Sequence, residues 1–130
     1  MMPAILNRHF SKLKERYPEA TLAMLPSGAA LITVPGMPLP PGWSMGFSAI
    51  RFIAPLGYPN AVPDCFWADK ELRLKGNRMP QNAKLDNPVP EVNLPGLWYS
   101  WHVQPNNWNA NRDDLLTYLA VIMARFGELR

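Results

Sequence analysis

Prolines dictate where regular structure can lie in this chain. Fifteen of them are spread through 130 residues, in P-L-P-P, Y-P-N-A-V-P and N-P-V-P, with apolar residues between. A proline locks its own φ and has no amide hydrogen, so it stops helices and is kept out of central strands. Hydrophobic residues make up 48% and charged residues 18%. That balance describes a folded domain with rigid loops rather than a disordered proline-rich tail. The length suits one domain spanning 1–130, with no internal repeat and no boundary.

Between the prolines the periodicities are readable. Leu6, Phe10, Leu13 and Tyr17 recur at four, three and four, which predicts an amphipathic first helix ended by Pro18. His9, one position before Phe10, reads as solvent-facing, and Lys12, Lys14 and Arg16 line the exposed side. Thr21–Leu25 and Ala30–Val34 flank a Pro-Ser-Gly turn and read as a hairpin, with Ser48–Ile53 as a third strand. Residues 54–62 are a loop. Asp64–Ala68 is a short apolar run that predicts a fourth strand, with Cys65 and Trp67 on one face and Phe66 on the other. Residues 70–97 lack periodicity and form a long irregular excursion. Leu115, Leu119, Ile122 and Phe126 mark a last amphipathic helix, widened by Leu116 and Met123. Asn111 is the expected cap, with Asp113 and Asp114 in the first turn. The class is α+β: an N-terminal helix, an antiparallel meander of three to four strands, a long loop and a C-terminal helix.

Several functions are disfavoured. Thirteen basic against ten acidic residues give a net charge of +3, with no Lys/Arg run that would line a nucleic-acid groove. One cysteine excludes an internal disulfide and a cysteine-based zinc site, and the two histidines are far apart, so neither metal nor cofactor is expected. No segment has the apolar length of a membrane span, and the N-terminus lacks the features of a signal peptide. A cytoplasmic protein is the expectation.

The chemistry concentrates in Trp98–Trp108, W-Y-S-W-H-V-Q-P-N-N-W. Ser100 and His102 stand two apart and would share a face on a strand, where the imidazole can take the serine proton. Alternatively Ser100 is a loop serine and His102 packs among the tryptophans. Cys65 is the alternative nucleophile, although Phe66 and Trp67 favour burial, which makes a thiol inert. Trp43 reads either as a surface anchor or as a cover for the sheet edge. Asn106 and Asn107 are turn formers.

Tyr58, Pro59 and Pro63, together with Trp108 and the helix that follows, resemble two motifs of the ubiquitin-conjugating enzymes. In that family a Y-P-F-x-P-P loop follows the third strand, and a W-S-P segment leads from the catalytic loop into a helix. The wider likeness is to the divergent bacterial relatives of that fold and spans nearly the whole chain. It implies a carrier that accepts the C-terminus of a ubiquitin-like protein from an activating enzyme and passes it to a protein target. The family's catalytic cysteine lies shortly before the tryptophan, where this chain has Ser100. The resemblance therefore implies an oxyester on Ser100, with His102 as its base or orienter and Trp101 and Trp108 in support. Met79-Pro80-Gln81-Asn82 is the nearest echo of the family's His-Pro-Asn motif, which would make Asn82 the oxyanion-supporting asparagine. A non-catalytic adaptor of the same fold, binding a ubiquitin-like protein or an activating enzyme, is the alternative.

Overall fold

The computed structural model describes residues 2–104 and 106–130. Its elements are α1 (Ala4–Arg16), β1 (Thr21–Met24), β2 (Ala30–Pro38), β3 (Phe47–Ala54), β4 (Phe66–Ala68), β5 (Ala83–Lys84), β6 (Leu97–Tyr99) and α2 (Leu115–Phe126). The strands form one antiparallel sheet in the order β1-β2-β3-β4-β6-β5. The chain leaves β4, reaches the far edge as β5, and returns as β6 between them.

Both helices lie on one face of this sheet. Leu6 and Leu13 of α1, and Leu115, Tyr118, Leu119, Ile122 and Phe126 of α2, are buried against Ile32, Ile50, Phe52, Phe66 and Tyr99. Phe66 and Tyr99 stack with centroids 4.6 Å apart, and both meet Phe126 edge-on at 5.8 and 5.6 Å. Such aromatic pairs contribute about 0.5–1.5 kcal/mol beyond their buried area. The opposite face carries a smaller cluster in which Leu25, Leu31, Trp67 and Val89 are buried. Val89 belongs to the irregular excursion, which is pinned by Trp67 Nε1 donating to the Asn87 carbonyl at 2.7 Å.

Several expectations change on this frame. Six strands replace three or four, because β5 and β6 span two and three residues and are too short to show a period. β4 begins at Phe66 rather than Asp64, since Cys65 has φ +63°, which strand backbone does not adopt. Asn111 does not cap α2. Asp114 does, accepting from the Thr117 amide at 3.0 Å while Thr117 Oγ1 accepts from the Asp114 amide, and no acidic residue lies in the first turn. This Asp-x-x-Thr capping box was readable in the sequence had threonine been allowed in the place of the usual Glu or Gln. His9 is half-buried and its Nδ1 lies 2.7 Å from the Tyr58 hydroxyl. Burial lowers the His9 pKa, with nearby Asp114 opposing. Trp43 is a cover, buried, with Nε1 donating to the Phe126 carbonyl at the end of α2 at 2.8 Å.

Candidate functional site

Two loops meet beside the ends of β4 and β6. The Cys65 amide, just before β4, donates to the Trp101 carbonyl, two residues beyond β6, at 3.0 Å. The Tyr118 hydroxyl rises from α2 and donates to the Cys65 and Trp101 carbonyls at 3.1 and 3.3 Å, so the helix holds both loops together. Farther out, Trp108 Nε1 donates to the Pro59 carbonyl at 2.8 Å and ties the Tyr58–Pro63 loop to the second of them. Tyr118 and Trp108 thus each contribute a polar group to loop placement besides their aromatic bulk.

The loops bring together three side chains that no local pattern joins. One oxygen of Asp64, Sγ of Cys65 and one ring nitrogen of His102 all lie within 4.8 Å of one another. His102 Nδ1 is hydrogen-bonded to Asp64 Oδ1. With the carboxylate as acceptor, Nδ1 carries the ring proton and Nε2 keeps a free lone pair. The Asp64 and His102 side chains are 61% and 59% exposed, so this pair is open to a partner. Cys65 is half-buried. Burial pushes its thiol pKa up, a backbone contact with Trp101 partly offsets this, and the Asp64 charge pushes the same way as burial. Such a thiol needs a base to become a nucleophile.

Asp64 stands where two clefts adjoin. One, of about 340 Å³, is lined by Cys65, Val62, Trp67, Asn87, Pro88 and Trp98 among others. The second, of about 440 Å³, is lined by His102, Pro63, Val103, Gln104, Asn106 and Trp108, and shares Val62 and Asp64 with the first. The nucleophile candidate thus faces one cleft and the base candidate the other. Asn87 is the one amide side chain among the residues lining the Cys65 cleft.

Ser100 lies beyond the end of β6, half-buried, with its amide donating to the Asn82 carbonyl at 2.8 Å. Among the described residues no hydrogen bond joins Ser100 to His102, whose Nδ1 is occupied by Asp64. The shared strand face expected for the two does not form, because the strand stops at Tyr99. Asn82 is exposed, with φ +64°, next to β5. Because β6 separates β5 from β4, Asn82 sits beside Ser100 and on the far side of it from Cys65. The ring of Trp101 packs on the Arg125 guanidinium at 5.4 Å, and Trp108 lines the His102 cleft. Pro105, within the same segment, lies outside the described residues. Asp64 and Asn87 were missed as site residues. The signal for Asp64 was its place directly before the only cysteine; Asn87 had none beyond its position in a long irregular loop.

A six-stranded antiparallel sheet with both helices on one face, a tyrosine-proline loop after β3 and a tryptophan-anchored segment leading into α2 define an E2-like domain of the ubiquitin-conjugating fold. The model of Prokaryotic E2 family E matches residues 12–128, and the chain belongs to that family. No curated protein and no solved structure matches it. Membership points to a role in ubiquitin-like conjugation and to protein partners. Among the described residues, no helix is long and apolar enough to cross a membrane.

Proposed function

We propose that this chain is an acyl carrier that takes the C-terminal carboxyl group of a ubiquitin-like protein from an activating enzyme and passes it to a target, with Cys65 as the carrying atom. The observation that supports this is the meeting of Asp64, Cys65 and His102 within 4.8 Å beside open clefts. A carboxylate that orients an imidazole, with a thiol within 4.8 Å that a side-chain rotation can bring to the ring, is the starting arrangement for activating a nucleophile. His102 removes the Cys65 proton, the thiolate attacks the activated carbonyl, and a new C–S bond forms as the bond between the acyl group and the activating enzyme breaks; His102 gives the proton to that leaving group and is neutral again. In the second half an amine or hydroxyl approaches from the His102 cleft. The neutral imidazole of His102 takes its proton, the new C–N or C–O bond forms as the Cys65–acyl bond breaks, and His102 gives that proton to the departing sulfur to restore the thiol. The extended tail of the modifier would lie in the apolar Cys65 cleft, where the Asn87 amide is the group available to polarise its carbonyl.

Ser100 remains the competing carrier, favoured by its contact with Asn82, and an adaptor without transfer chemistry is the other alternative. Intact-mass spectrometry separates all three after incubation with ATP, an activating enzyme and a ubiquitin-like protein from the same source. Wild type, Cys65→Ala and Ser100→Ala are compared, with and without thiol. A thiol-labile adduct absent only from Cys65→Ala is expected. An adduct that resists thiol and is lost only in Ser100→Ala moves the carrier to Ser100. Intact partner binding without an adduct in any of the proteins defines an adaptor.

A further inference from the structure

We infer that Asp64, Cys65 and His102 also form a binding site for one zinc-class divalent ion, in competition with acyl loading. Counting one cysteine and two distant histidines along the sequence argues against a metal. The fold changes the count by setting a sulfur, a nitrogen and an oxygen donor within 4.8 Å of one another. Two ligands on one tetrahedral zinc stand roughly 3.3–3.8 Å apart, as follows from bonds of about 2.0–2.3 Å. Small side-chain rotations would suffice, with the hydrogen-bonded Asp64 and His102 moving apart and Cys65 Sγ drawing nearer to them, and Asp64 and His102 are the more exposed of the three.

The donor chemistry selects the ion. Thiolate and imidazole prefer zinc and its neighbours, whereas magnesium and calcium require oxygen sets. One thiolate and one carboxylate neutralise a dication, and the exposed side of the cluster leaves the fourth position to water. Binding replaces the thiol proton with a metal–sulfur bond and releases that proton to solvent. The imidazole shifts its proton to Nε2, which frees Nδ1 for the metal, and Asp64 exchanges its hydrogen bond to the ring for a metal–oxygen bond. Sγ is then unavailable as a nucleophile. This last consequence rests on the carrier reading above; the binding site itself does not.

The test is a titration of the purified, metal-free full chain with zinc chloride and, separately, with cobalt chloride, without any activating enzyme. One ion per chain is expected, with a sulfur-to-cobalt charge-transfer absorption band. Cys65→Ala should abolish that band, and His102→Ala and Asp64→Asn should each weaken binding by about tenfold or more, since losing a direct ligand costs at least what losing an outer-shell partner does. Thermal unfolding of the metal-free variants checks that all are folded. No saturable binding by wild type, or undiminished zinc affinity in folded Cys65→Ala, would overturn the site. Adduct formation in zinc-free, magnesium-containing buffer is scored independently, so failure of the metal site and failure of the carrier reading are told apart. Where an adduct forms, zinc should suppress it and a zinc-selective chelator that leaves magnesium bound should restore it; an adduct formed equally well at saturating zinc would overturn the competition.

Discussion

Replacing Tyr118 by phenylalanine removes one oxygen from the interior and tests whether α2 places the candidate site. The side chain is fully buried, with its ring 5.3 Å from that of Phe52. Phenylalanine keeps that packing. The hydroxyl has one hydrogen to share between the Cys65 carbonyl at 3.1 Å and the Trp101 carbonyl at 3.3 Å. Trp101 also keeps the Cys65 amide as a donor at 3.0 Å, so the change removes close to one hydrogen bond rather than two. A net loss of about 1 kcal/mol follows, rising towards about 2 kcal/mol if the Cys65 carbonyl is left dry and unpaired. For a chain of this size that lowers Tm by about 3–8 °C, which calorimetry resolves. The local consequence is looser contact between the two loops, so iodoacetamide should alkylate Cys65 faster in the variant. A Tm within about 1 °C of wild type, together with an unchanged alkylation rate, would refute the assignment of Tyr118 as the tether, because a lost buried hydrogen bond should cost at least about 0.5 kcal/mol.

Three further outcomes are expected. Burial opposes ionisation of Asp114, but Lys12, bonded at 2.8 Å, and the Thr117 amide outweigh it and hold its carboxyl below the usual range. A lowered folded-state pKa contributes stability above the unfolded value of about 3.9 and loses it as pH falls through the folded one. The urea midpoints of wild type and Asp114→Asn should therefore differ near neutrality and converge below about pH 4, the Asn cap being equivalent; a constant gap at all pH values would sink the argument. The raised Cys65 thiol should show an alkylation rate–pH midpoint above that of a free peptide thiol in the same buffer, and a midpoint below it would contradict the effect of burial. Gly42 has φ +112°, outside the left-handed well, whereas Gly36 at φ +66° is inside it with nothing within 4 Å of an added Cβ. An added Cβ at Gly42 would also meet the Leu129 side chain at 2.7 Å, so Gly42→Ala should cost about 1–3 kcal/mol and more than Gly36→Ala, measured by chemical denaturation; equal losses would refute both the strain and the contact.

Local signals sufficed for much of this molecule. The spacing of Leu6, Phe10 and Leu13 and that of Leu115, Leu119 and Ile122 place the two helices. Leu6 and Leu13 are buried, as are Leu115, Leu119 and Ile122, because one stripe at helical spacing can face only one way. The hairpin was legible from its Pro-Ser-Gly turn between apolar runs, and the third strand alternates in burial along its length. β4 is as short as β6 but was marked by an apolar run after a proline loop, whereas β5 and β6 had no such boundary and went unread until the sheet supplied their partners.

The site divides along the same line. Cys65, Ser100 and His102 stood out by residue type, and Trp101 and Trp108 by their density. Which of them work together was undecidable from neighbouring positions, because the nearest partner in sequence is not the nearest in space. His102 is two residues from Ser100 yet bonds Asp64, at a separation of 38 residues. That contact exists because β4 pairs with β6, and because positive φ at Cys65 turns the chain just before the strand. Residue chemistry along the sequence therefore named Cys65 and His102 but not Asp64, while long-range strand pairing and the Tyr118 tether decided which atoms meet.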